Sequence, residues 1–140
     1  MSSIRKDLHH NLSVVQAFNS ATVGSSTTTT GTIIDTRGYG SVEFVLSIGT
    51  RTDGTFTPLI EESAASDMSG ATAVADQDLF GTEAGGAITA TNGIGRVGMW
   101  VGKYRYVRLS IVSSGVTTGS TGVHALAILG TPDLAPTTST

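Results

Sequence analysis

Apolar side chains recur at every second position along several stretches of the chain, the period of a half-buried β-strand. From Lys103 to Ser113, Val107, Leu109 and Ile111 share one face, with Arg105 on the same side, while Tyr104, Tyr106, Arg108 and Ser110 share the other. That is a core strand with a decorated outer face. Ser41 to Gly49 alternates most cleanly: Val42, Phe44, Leu46 and Ile48 face one way, and Glu43, Val45 and Ser47 the other. Val123 to Leu129 is apolar almost throughout, which predicts a central strand covered on both sides. Further strands are predicted at Ser13 to Phe18, Thr32 to Thr36, Phe56 to Glu62, Ala71 to Ala75, Ala87 to Thr91 and Ile94 to Val101.

Turn chemistry divides these strands. Asp53-Gly54 and Asn92-Gly93 each supply the positive φ angles of a tight hairpin. Pro58 cannot donate to a ladder, so its strand is expected at an edge or at a bulge. Residues 24–31 read as a polar loop whose Thr run belongs partly to the next strand. Eight or nine short strands at regular spacing predict an all-β, single-domain β-sandwich of the jelly-roll kind, with a closed barrel as the competing form. Residues 1–12 form an N-terminal arm with Ile4, Leu8 and Leu12 on one short helical face, residues 13–130 the sandwich, and residues 131–140 a tail.

Composition narrows the chemistry. The chain has 140 residues and no cysteine, so disulfides, thiolate metal sites and cysteine nucleophiles are excluded. Its net charge of −3 works against general affinity for nucleic acid or anionic membrane. No apolar window is long enough to span a bilayer, and no apolar segment follows the basic residues near Met1. With 14% charged residues and 18 glycines, polarity rests on Ser, Thr and backbone, a surface that is cheaply desolvated against other protein.

No catalytic motif is present, so the chain is not expected to be an enzyme or to need a cofactor or metal. His9 and His10 are adjacent and diverge, and His124 lies in an apolar strand as a packed core or interface residue. Glu61, Glu62, Asp67, Asp76 and Asp78 supply carboxylates for a calcium site but lack the spacing of a calcium loop. Tyr104, Tyr106 and Arg108 resemble a stacking platform for single-stranded nucleic acid, against which the acidic balance of the chain argues. A protein interface fits better. With Val97, Met99 and Val101 inward, Trp100 points out beside the Tyr-Tyr-Arg face, and Trp, Tyr and Arg anchor interface centres.

Val42 to Gly49, the Asp53-Gly54 turn, Phe56 to Ser63, Gly95 to Gly98, Tyr104 to Leu109 and Ala127 to Gly130 together resemble the jelly-roll cement, or decoration, proteins of tailed bacteriophages. The resemblance spans about Asp7 to Gly130. It implies a structural virion protein, made in the host cytoplasm, that binds the outside of the capsid, bridges major capsid protein subunits, and associates with itself as a homodimer or homotrimer. No specific nucleic acid and no membrane partner are expected. The interface expectation comprises Trp100, Tyr104, Tyr106, Arg108, Ile4 and Leu8. A carbohydrate- or receptor-binding module of a phage tail or fibre, with Trp100 and Tyr104 stacking on sugars, is the alternative.

Overall fold

The structure, a computed structural model, describes residues 7–119 and 121–133. The strands are β1 (Ser13–Val23), β2 (Thr28–Asp35), β3 (Tyr39–Ile48), β4 (Thr55–Ser63), β5 (Thr72–Ala73), β6 (Leu79–Phe80), β7 (Ile94–Trp100), β8 (Tyr106–Ser114) and β9 (Thr121–Pro132). They form two antiparallel sheets, ordered β1-β9-β3-β7-β6 and β2-β8-β4-β5. Without the two-residue β6, this is the interleaved jelly-roll order: β1, β2, β3 and β4 fall in alternate sheets. The sandwich is as expected from the alternation.

Alternation also sets the core. Val42, Phe44, Leu46 and Ile48 of β3 meet Val107, Leu109 and Ile111 of β8 across the gap, together with Phe56 and Ile60 of β4 and Val97 and Met99 of β7, all buried. Each strand lends its apolar face to one shared interior, so no single strand is stable without the others.

Both expected hairpins are corrected. Gly54 does adopt a positive φ of 91°, but the turn carries the chain from β3 in one sheet to β4 in the other. The Asp53 side chain holds that corner: Oδ2 accepts the N–H groups of Thr117 and Thr118 at 2.9 and 3.0 Å and their hydroxyls at 2.7 and 3.2 Å. At Asn92-Gly93, where Asn92 has φ 58°, the preceding segment makes only an Ile88–Phe56 bridge to β4, in the opposite sheet from β7. A local turn signal states that the chain reverses. It does not state which sheet receives it.

Two further expectations change. β9 is central between β1 and β3, yet His124, Leu126 and Ile128 on its outer face are only half-buried, because no described layer covers that side. It also runs on to Pro132, opposite Tyr39, beyond the predicted strand end at Leu129. Residues 101–105 cross from β7 in one sheet to β8 in the other.

The proline expectation stands. Phe56 N–H bonds Ile88 O and Ile60 N–H bonds Glu83 Oε1, both on the side of β4 away from β8. Pro58, midway between them, therefore points its missing donor at the outer edge, where β5 pairs only with Glu61 and Glu62.

Candidate interaction surface

The expected contact residues separate in three dimensions. Trp100 ends β7 on the outer face of the five-stranded sheet, whereas Tyr106 and Arg108 lie on the outer face of the four-stranded one. Tyr104 is half-buried in the crossing loop between them, under the Lys103 ammonium at 5.6 Å from its ring centroid. The single Trp-Tyr-Tyr-Arg patch is thus overturned, because period-two reasoning places residues within a strand and says nothing about neighbouring sheets. Arg105 also departs from expectation: it precedes β8, is exposed, and does not share the Val107 face.

The Tyr106–Arg108 face is internally neutralised. Arg108 Nη2 lies 3.1 Å from Oε1 of Glu61, its cross-strand neighbour on β4, and Ser110 Oγ donates to the same oxygen at 3.4 Å. Arg105 grips Asp35 with two hydrogen bonds of 2.8 and 2.7 Å, holding that carboxyl below its ordinary range, and its guanidinium lies 5.1 Å from the Tyr106 ring centroid. Cations committed to carboxylates are poor phosphate ligands, so the stacking platform loses its charge.

The other outer face carries most of the large exposed apolar side chains among the described residues, interrupted by Glu43, Arg96 and His124. Trp100 is 61% exposed and meets Phe80 edge-on, with centroids 5.2 Å apart at 85°. Ile94 and Val14 are exposed along the same face, and Leu126, Ile128 and Val45 are half-buried between them. Beside Trp100 a recess of about 300 Å³ is lined by Leu8, Leu12, Glu43, Phe80 and Ile128 among others. Leu8 is 79% exposed and enters from the N-terminal segment, where His9–Asn11 make one 3₁₀ turn that Asp7 caps through His10 N–H at 2.9 Å. The expected helical face is therefore a single turn, and Ile4 lies outside the described residues.

Phe80 and Ile94 were not among the expected contact residues. Phe80 sits alone in an acid- and Gly-rich stretch that reads as loop, and only β6 pairing brings it to Trp100. An isolated aromatic in such a loop was the available signal.

Among the described residues, no three carboxylates or imidazoles gather where they could hold a metal ion. Glu61 turns to Arg108, Glu62 turns into the sandwich, and Asp67 caps Ser69 N–H at 2.9 Å. His124 is half-buried, with Nε2 2.7 Å from Gln16 Oε1 on β1. No helix among the described residues is long and apolar enough to cross a membrane.

No protein-family model and no curated protein sequence matches the chain. Among solved structures, VP2 of infectious bursal disease virus, in its subviral particle, is similar with a TM-score of 0.56 at 11% identity, over 87% of this chain and 32% of that one. The PBSX exported protein XepA is similar with a TM-score of 0.56 at 14% identity, over 95% of this chain and 41% of its own. Tripeptidyl peptidase 2 has a TM-score of 0.53 at 12% identity, over 83% of this chain and 10% of its own. This chain therefore spans less than half of each of these proteins. A subviral-particle protein, an exported protein and a peptidase contain the same sandwich, so the likeness establishes the all-β fold and leaves the function to the surface.

Proposed function

We propose that this protein is a structural virion component that binds the outside of a bacteriophage capsid and cements contacts between major capsid protein subunits. The observation that carries the proposal is the exposed Trp100–Phe80 pair beside the Leu8-lined recess. An exposed tryptophan packed on a second exposed aromatic costs solvation free energy until a partner covers it. The opposite face, by contrast, is rich in threonine and has its charges paired. A domain with one sticky face and one inert face suits a layer lying between a shell and water. The fold it shares with VP2, a protein of a subviral particle, supports the same reading.

The test uses capsids lacking the protein. Added protein is expected to bind them and raise their rupture temperature, measured by dye access to the packaged DNA, and to sediment as a small homo-oligomer when free. Trp100→Ala is expected to fold, by circular dichroism, and to bind roughly tenfold or more weakly. Capsids that take up no protein, or rupture at the same temperature with it, would refute the proposal.

A further inference from the structure

A second recess of about 240 Å³ opens next to Trp100, between the β6 segment and the β7–β8 crossing loop, and is lined by Glu62, Gln77, Asp78, Phe80, Trp100 and Lys103 among others. Its floor is unusual. Glu62 lies on the inward face of β4, in line with Phe56, Pro58 and Ile60, and its side chain is only 4% exposed. Among the described residues no hydrogen bond reaches this carboxylate and its sole ion-pair partner is Lys103 Nζ at 3.7 Å, on a side chain that is 65% exposed. A desolvated carboxylate needs a close cation with hydrogen-bonding N–H groups, and a long contact from an exposed ammonium supplies little of that.

The surroundings match one chemistry. Trp100 and Phe80 offer aromatic surface for a planar cation, Glu62 offers a buried counter-charge, and Asp78 and Gln77 offer further acceptors. We infer that this recess receives a basic side chain, a guanidinium in its best-fitting form, presented by the protein partner that docks on the Trp100 face. Glu62 pairs with the incoming N–H groups and Trp100 stacks on their plane, while Lys103 is displaced toward the Tyr104 ring it already overlies. Neutral sugar hydroxyls would also find acceptors here, but they would leave Glu62 with only the long Lys103 contact for its charge. The inference takes the partner's identity from the capsid proposal and the pocket's chemistry from the residues alone.

Trp100 is the only tryptophan in the chain, so its fluorescence reports on the pocket directly. The full chain is titrated with N-acetyl-arginine amide and, in parallel, with the neutral isostere N-acetyl-citrulline amide. Saturable change with the first and none with the second is expected. Glu62→Gln should weaken the response at least about tenfold, and Lys103→Met should strengthen it severalfold by removing the competing cation. Equal responses to both amides, saturation by neutral sugars instead, or indifference to both substitutions would overturn the pocket. If Glu62→Gln fails to fold, Lys103→Met decides alone, and an unchanged or weaker response sinks the idea. Wild type that captures the arginine derivative but ignores capsids lacking the protein supports the pocket and removes the capsid as its partner. Capsid binding that is identical in wild type and Glu62→Gln, with no arginine response, overturns the pocket and leaves the capsid proposal standing.

Discussion

Oε1 of Glu83 accepts the backbone N–H of Ile60 at 2.6 Å, occupying the place a neighbouring strand's carbonyl would take on the outer side of β4. Ile60 is fully buried, so this donor has no recourse to water. Together with the absent N–H of Pro58, the contact closes an edge that would otherwise template another strand. Glu83→Ala is expected to cost about 1–3 kcal/mol in urea melts, the penalty for orphaning a buried donor. Glu83→Gln keeps a carbonyl oxygen in place and should cost less.

Two carboxylates slope in opposite directions with pH. Hydrogen bonds from Thr117 and then Thr118 lower the Asp53 pKa from 3.8 to about 2. The folded state therefore holds the ionised form, and the contribution is complete above pH 3.8 and lost as the pH falls toward about 2. Burial raises Glu83 above its ordinary 4.5, with the nearby charges of Asp76 and Glu61 adding to the shift. Its contribution is complete below 4.5 and fades as the pH rises through the raised value. Acid titrations of stability should show the Asp53 part vanish in Asp53→Asn. Asp53→Ala should lower the melting temperature more than Asp67→Ala, because Asp53 ties residues 64 positions apart and Asp67 caps its own turn.

Leu109 and Leu126 look equivalent by composition but differ in place. Leu109 is fully buried between the sheets, and Leu126 is half-buried on the outer face of β9. Leu109→Ala should cost about 2–5 kcal/mol, and Leu126→Ala clearly less, by chemical denaturation. Equal losses would place β8 outside the core.

Gly31 interrupts the Thr-rich β2 at a register shift between Thr30 and Ile33. A Cβ there would run into the backbone carbonyls of Leu109 and Ala17, so β1 and β2 close this side of the sandwich around a position with no side chain. Gly31→Ala is expected to destabilise by about 1–3 kcal/mol or to prevent folding, as overpacking against backbone does. Thr30→Ala, one residue away and exposed, serves as the control and should stay within about 0.5 kcal/mol.

Much of the architecture was legible because it follows from local rules. The Val42–Ile48 and Val107–Ile111 alternations needed only a buried face to become core strands, and Pro58 could sit only where no ladder donor was needed. The turns were legible as turns and misleading as hairpins. Asp53-Gly54 satisfies the same backbone angles whether β4 folds back on β3 or crosses to the facing sheet.

By itself the sequence determined the period of its strands, the identity of the core side chains, the outward direction of Trp100 and the absence of thiol chemistry, because each is set within a few residues of chain. Only the tertiary structure decided that Trp100 belongs with Phe80 and Leu8 and not with Tyr106 and Arg108, and that Glu62 faces a recess beside it. Those groupings depend on which sheet each strand joins. That choice is made by burying all the apolar faces at once, a property of the whole chain that no local pattern carries.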